Sequence, residues 1–189
     1  MVNFPKSSFG ALPLSTPRNL EFSQNSRAAR NIEFIREFGV QVDINTGRIV
    51  GGQYDGYIYV DLREQDTNRF SARGENESYF IVGTDGDDII RGSDADDVII
   101  GLDGNDRISG GGGDDLILGG DGDDTLIGNS GADIIFGGNG NDALFARRST
   151  DDGRGWAEND FLFGGAGNDT LTSFDPIRTI NRRGQSVTV

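Results

Sequence analysis

The chain has 189 residues, with 17 Lys and Arg against 31 Asp and Glu, a formal charge of −14, and neither cysteine nor histidine. Those absences exclude disulfides, thiolate and imidazole metal sites, and any histidine-dependent catalytic triad. The acidic excess argues against nucleic acid or an anionic membrane surface as partner, and no apolar run approaches the roughly 18 residues that a membrane-spanning helix needs.

In chain order, residues 1–22 carry one lysine, three prolines and no long apolar core, so a cleaved secretory signal is not expected there. Residues 26–38 read as a short helix. Ser26 can cap it, Ile32, Ile35 and Phe38 lie near one face with Phe34 beside them, and Gly39 stops it. Val40-Gln41-Val42-Asp43-Ile44 alternates as a strand, Asn45-Thr46-Gly47 reads as a turn, and Arg48-Ile49-Val50 as the returning strand. Residues 57–62 alternate again, and the polar stretch 64–77 reads as a linker or loop. Residues 1–73 are thus expected to form a small cap region, a short helix plus a β-hairpin. It is short for an independent core, and its economical role is to cover an apolar sheet of the domain that follows.

From residue 83 onward the chain is periodic. Seven nine-residue units run unbroken over 83–145, and two more follow over 155–172 after an interruption at 146–154. The first position is glycine in every unit, the fourth is glycine except for Ala95 and Glu158, and the fifth is Asp or Asn except for Ala132. The sixth is always aspartate: Asp88, Asp97, Asp106, Asp115, Asp124, Asp133, Asp142, Asp160 and Asp169. The eighth is always Ile or Leu. Residues 83–172 hold 20 acidic and 5 basic side chains, a net of −15, so the whole acidic excess lies here. Such a block repels itself unless cations neutralise it. Glycines allow a tight turn whose carbonyls can converge, aspartate adds a hard anionic oxygen, and a ligand set of carbonyls and carboxylates suits calcium. The last three residues of each unit read as a short strand whose middle, aliphatic residue faces inward.

The outward strand residues carry a second period of 18. In alternate units Val98 and Ile100, Leu116 and Leu118, Ile134 and Phe136, and Phe161 and Phe163 are all apolar, whereas the intervening units are mixed. One sheet is therefore expected to meet water and the other to be covered. Keeping Phe161 and Phe163 on the apolar sheet requires that 146–154 lengthen a turn without adding a strand. Counting back from Gly83 places Phe80-Ile81-Val82 as a cap strand on the apolar sheet, with Tyr79 where an aspartate would stand.

The nine units resemble the RTX, or haemolysin-type, calcium-binding nonapeptide family, whose consensus is G-G-x-G-x-D-x-(aliphatic)-x. The resemblance covers roughly half the chain. It implies an all-β fold, a right-handed parallel β-roll of two facing sheets over 74–172, with two units per turn and several Ca2+ ions held between stacked turns. It implies turn carbonyls and the nine sixth-position aspartates as ligands. If turns two units apart share an ion, the two edges offer up to about seven places. Ala95 and Glu158 at the fourth position, and Leu102 and Trp156 at the second, mark the turns that depart from the consensus. The resemblance also implies type I secretion through an uncleaved C-terminal signal, to which the short basic tail 173–189 is a weak match.

The residues offer little catalytic chemistry, and no enzyme is expected. Gly128-Asn129-Ser130-Gly131-Ala132 lacks the final glycine of a nucleophile elbow and lies inside a turn. Asp43, Asp55, Asp61 and Glu64 read as surface charge on strands ahead of an acid/base pair. The favoured expectation is a secreted, extracellular calcium-binding protein that folds on taking up Ca2+ outside the cell and serves a structural or surface role. The alternatives are an accessory module of a secreted enzyme or adhesin, or a small glycan-binding protein using the N-terminal region. If the cap does not cover the apolar face, self-association or a protein partner is expected there.

Overall fold

The computed structural model describes residues 41–43, 46–146 and 160–172, with the backbone of 187–188. The chain divides into two compact units, 1–57 and 58–189. In the first, β1 (Val42–Asp43) and β2 (Arg48–Ile49) pair antiparallel, with Val42 opposite Ile49. Gly47, at φ 67°, closes the turn by donating its amide to the Asp43 carbonyl at 2.8 Å. The helix expected over 26–38 lies outside the described residues.

The second unit is a parallel β-solenoid. It begins with β3 (Ile58–Asp61), the one-turn helix α1 (Leu62–Gln65), β4 (Arg69–Ser71) and β5 (Tyr79–Val82). The periodic strands follow: β6 (Ile89–Arg91), β7 (Val98–Asp103), β8 (Arg107–Gly111), β9 (Leu116–Asp121), β10 (Thr125–Asn129), β11 (Ile134–Asn139), β12 (Ala143–Phe145), β13 (Phe161–Ala166) and β14 (Thr170–Thr172). Alternate strands go to opposite sheets. One runs β3-β5-β7-β9-β11-β13, and the other runs β4-β6-β8-β10-β12-β14 with β15 (Val187–Thr188) beside β14. Each pair is parallel, in a register that places identical unit positions side by side, as in Leu116 against Ile134 and Thr125 against Ala143. The 18-residue period is therefore one coil.

A one-residue-thick core follows from this register. Ile90, Ile99, Ile108, Ile117, Leu126, Ile135, Leu144, Leu162 and Leu171, the eighth-position residues, form one buried cluster with Val60, Leu62, Ile81 and Ala146. The parallel strands need no propensity beyond this. An aliphatic side chain every nine residues, between glycine-rich turns, is buried only if successive coils stack. On the outward face of the β7-β9-β11-β13 sheet, Val98 and Leu116 are fully buried and Phe136 and Phe163 are half-buried, their rings stacked at 4.7 Å. The opposite sheet exposes Ile89, Arg107 and Thr170.

Two boundaries differ from expectation. The solenoid starts at β3 instead of residue 74, because the polar stretch 64–77 is more than a loop: β4 lies within it and pairs with β6. Of its two apolar residues, Phe70 packs on the core and against Tyr79, with ring centroids 5.6 Å apart, and Ala72 is buried. The cap region expected over 1–73 is correspondingly shorter. At the other boundary, Ala146 is fully buried, donates its amide to the Thr172 carbonyl and accepts from the Asn129 amide. It holds the place of a first-position glycine. β13 then pairs with β11, Phe161 opposite Ile134, so the nine extra residues shift the spacing from 18 to 27 without moving Phe161 off the apolar sheet.

From the third unit onward the turns use the left-handed backbone region. Second positions stand at φ 131° (Gly111), 129° (Gly120) and 126° (Gly138), and fourth positions at φ 110° (Gly104), 133° (Gly122) and 140° (Gly140). Leu102 is forced into the same region, at φ 90°, where a side chain costs about 1–3 kcal/mol. Leu102→Gly should therefore stabilise the calcium-loaded protein by about 1 kcal/mol, after the glycine's extra unfolded-state entropy of about 0.5–1 kcal/mol is subtracted. Urea denaturation in excess calcium checks it. A lower midpoint would show that the packing of the Leu102 side chain outweighs its backbone strain.

Candidate metal centre

All nine sixth-position aspartates lie at the ends of the turns, just before a strand, and are between 0 and 4% exposed. Nine buried carboxylates in one small solenoid are prohibitive unless each is hydrogen-bonded or paired with a cation. One oxygen of each follows a single rule. From Asp106 onward Oδ1 accepts the backbone amide of the sixth residue in the preceding coil: Asp88 to Asp106 at 2.9 Å, Asp97 to Asp115 at 2.9 Å, Asp106 to Asp124 at 2.8 Å, and Asp115 to Asp133 at 3.0 Å. The rule continues from Asp124 to Asp142 at 2.9 Å and crosses the insertion unchanged, Asp133 donating to Asp160 and Asp142 to Asp169. At the start, Tyr79 donates its amide to Asp97 Oδ1 at 2.7 Å. The position that lacks an aspartate thus still supplies the donor.

The other oxygen is different. Oδ2 of Asp106, Asp115, Asp124 and Asp142 is buried with no hydrogen-bond partner. Each of these oxygens lies against the first glycine of its own unit, on the side where a Cβ would stand. The carbonyl of the corresponding residue in the next coil lies on that same side. Around Gly119, for example, a Cβ would collide with both Asp124 Oδ2 and the Gly137 carbonyl oxygen. The invariant first glycine is therefore a matter of space: its missing side chain lets a carboxylate and a carbonyl oxygen approach together.

The electrostatics follow from burial. Withdrawal from water pushes Asp115 from its ordinary 3.8 up to about 10, with the Asp133 carboxylate adding to the shift and the Asp97 amide opposing it. Burial likewise raises Asp106 to about 8 and Asp124 to about 7, each partly held down by a backbone amide. Asp142 rises to about 6, again chiefly by burial. Without a counter-cation the fold forces these groups toward protonation, so their negative charge is consistent with the fold only when a cation is beside it.

The chemistry of the donor set fits a hard divalent cation: oxygens only, one carboxylate per turn, and carbonyls in register. Among the described residues no three acidic side chains gather tightly enough to hold an ion by themselves. A six- to eight-coordinate ion must therefore draw backbone oxygens from the turns.

The fifth position, which the spacing left without a role, is a structural rung. Asp87 Oδ1 accepts the Asn105 amide at 2.8 Å, Asn105 Oδ1 that of Asp123 at 2.8 Å, and Asp123 Oδ1 that of Asn141 at 2.7 Å. On the other edge Asp96 holds Asp114 and Asp114 holds Ala132. Sixth-position side chains thus reach back one coil and fifth-position side chains reach forward one, which is why only Asp and Asn, with a short acceptor, recur there. Asp85, Asp103 and Asp121 are exposed at the third position; Asp121 accepts from the Asn139 side chain at 2.6 Å.

Thr84 and Ser93 at the second position were also not singled out by the spacing, although they break the glycine consensus. Thr84 donates its amide to Asp88 Oδ2 and Ser93 its amide to Asp97 Oδ2, both at 2.6 Å. The signal legible in the sequence was a hydroxyl residue two before the fourth position and four before the aspartate.

No helix among the described residues is long and apolar enough to cross a membrane. No curated protein matches the chain. The family described as RTX calcium-binding nonapeptide repeat (4 copies) matches residues 82–117, 118–152 and 154–173, the periodic solenoid with its aspartate turns. The chain thus carries RTX calcium-binding nonapeptide repeats, and its parallel β-solenoid is built of them over 82–173.

Proposed function

We propose that the chain folds when calcium binds, with Asp88, Asp97, Asp106, Asp115, Asp124, Asp133, Asp142, Asp160 and Asp169 as the aspartates around which its turns close, and that it does so outside the cell. The observation that carries this reading is the row of buried, donor-free Oδ2 atoms at Asp106, Asp115, Asp124 and Asp142, each beside a carbonyl of the next coil. Extracellular modules of this general affinity bind calcium at about 10⁻⁴–10⁻³ M, so such turns stay open at cytosolic calcium and close outside the cell. Each ion bound only by the folded form adds stability by mass action, and shared turns make filling cooperative. The role is structural and needs no catalytic residue. The fully buried outward residues Val98 and Leu116 and the stacked Phe136 and Phe163 support a face built for contact over one that turns over substrate.

Protons should compete with the metal. Folded values raised above the ordinary 3.8 mean that the ion-free fold binds more protons than the unfolded chain. Its stability therefore falls as pH rises, through a window from 3.8 up to about 10 for Asp115. In the ion-free chain at neutral pH the turns are open and their carboxylates are already ionised. Calcium-driven folding should therefore release few protons at pH 7, and calcium affinity should hold from pH 6 to pH 8 and fall only as pH drops toward the ordinary 3.8. Titration calorimetry in two buffers of different ionisation enthalpy measures any release directly. Release of several protons at pH 7 would mean that calcium enters a preformed fold with protonated carboxylates, and would contradict coupled folding.

A further inference from the structure

The turns of the solenoid are of two chemical kinds, and the division falls between the second and third units. In the third, fourth, fifth and seventh units the aspartate Oδ2 lacks a donor, as shown for Asp106, Asp115, Asp124 and Asp142. In the first two units it does not. Asp88 Oδ2 accepts the Thr84 amide at 2.6 Å, and its carboxylate also receives the Thr84 hydroxyl at 3.1 Å. Asp97 Oδ2 accepts the Ser93 amide at 2.6 Å, and Oδ1 receives the Ser93 hydroxyl at 3.2 Å.

The backbone divides at the same place. Second positions from Leu102 to Gly138 all have positive φ, whereas Thr84 and Ser93 do not; fourth positions from Gly104 to Gly140 do, whereas Gly86 and Ala95 do not. The hydroxyls account for this. Thr84 Oγ1 accepts the Gly86 amide at 3.2 Å and Ser93 Oγ the Ala95 amide at 3.0 Å, so each turn is closed by its own side chain. That is why Ala95 is tolerated where the later units need glycine.

Resting on the calcium reading above, but withdrawing Asp88 and Asp97 from the nine aspartates named there, the geometry points to a solenoid whose first two repeat turns close on hydroxyl and amide donors in place of a cation, giving a calcium-independent end on which the calcium-dependent coils are laid. The coil before them is also internally satisfied. The buried Asp61 carboxylate is held by the Arg63 guanidinium through 2.9 and 2.7 Å contacts, and it caps α1 through the Arg63 amide. Phe80, Ile81, Ile90 and Ile99 give that end its own buried core. The electrostatics agree: Asp97 and Asp115 lie one coil apart, yet burial takes Asp97 only to about 6, because the Ser93 and Tyr79 amides and the Ser93 hydroxyl hold it down, and Asp115 to about 10. A repeat array can nucleate at one end and propagate, so the first coils supply a template and the ions extend it.

Amide hydrogen exchange of the full chain, read by mass spectrometry in chelator and across a calcium titration, tests this. In chelator, amides of 79–100 should stay protected while those of 101–145 exchange freely, and calcium should then slow the second group by roughly 100-fold or more. The triple substitution Thr84→Gly, Ser93→Gly and Ala95→Gly restores consensus turns and should move 79–100 into the calcium-dependent group. Ser93→Ala, which keeps the amide, should weaken protection of 92–100 in chelator only. If 79–100 exchanges in chelator as fast as 101–145 and both gain protection at one calcium concentration, the calcium-independent end is overturned while calcium-driven folding stands. If calcium protects neither segment, the calcium reading falls and this one with it.

Discussion

Replacing Asp115 by asparagine should change stability with opposite sign in chelator and in calcium. Asparagine keeps the Oδ1 that accepts the Asp97 amide at 2.9 Å, so the stitch between coils survives. It replaces a buried, donor-free Oδ2 with an amide nitrogen, which then faces the Gly128 carbonyl oxygen lying against the same side of Gly110. In chelator this removes the cost of burying a carboxyl that the ion-free fold forces toward protonation, and should stabilise whatever structure remains by about 1–3 kcal/mol. In calcium it removes an anionic ligand from the middle of the stack, and the calcium midpoint of folding should rise at least about tenfold, the lower end of what is lost when a partner outside the ligand shell is removed. The residual β-sheet signal of both proteins in chelator and their calcium midpoints of folding, both by circular dichroism at fixed pH, provide the comparison. A purely structural aspartate would shift both conditions in the same direction.

Gly120→Ala should be among the most damaging single methyl additions to the described coils. Gly120 stands at φ 129°, and its new Cβ would overlap the Leu102 carbonyl oxygen and approach its carbonyl carbon to 2.8 Å. Backbone strain of about 1–3 kcal/mol adds to overpacking of about 1–3 kcal/mol, a large fraction of the roughly 5–15 kcal/mol that holds an ordinary domain folded. Gly74→Ala is the control. Gly74 stands at φ 82° with nothing near the new atom, so it carries the strain alone. The difference between the two in urea denaturation, in excess calcium, isolates how closely successive coils approach. Equal losses would mean that the coils are not in contact at that edge.

The parts of the fold that repeat were legible because one physical demand recurs at each coil. An inward aliphatic every nine residues, and outward residues that match only every 18, determine which strands share a sheet. The pairing of Phe161 with Ile134 across a 27-residue spacing follows that rule. Where the demand does not recur, the pattern is silent. β4 sits in a polar stretch with one large apolar residue, Phe70, and becomes a strand because the coil beside it offers β6 as a partner. The aspartate positions were legible, but not the separate duties of their two oxygens, which depend on donors supplied by the neighbouring coil. Thr84 and Ser93 were not singled out by the spacing, yet they supply what the glycine turns leave to an ion. The fifth position had no role in the spacing and is a hydrogen-bonded rung.

Far-UV circular dichroism of the full chain, followed from excess chelator through a calcium titration at pH 7.5 or so, bears most directly on whether metal and fold are one event. Calcium-driven folding requires a β-sheet signal that is largely missing in chelator, rises cooperatively at submillimolar to millimolar calcium as extracellular modules do, and is lost again when chelator is restored. A full β-sheet spectrum in chelator, unchanged by calcium, would contradict it.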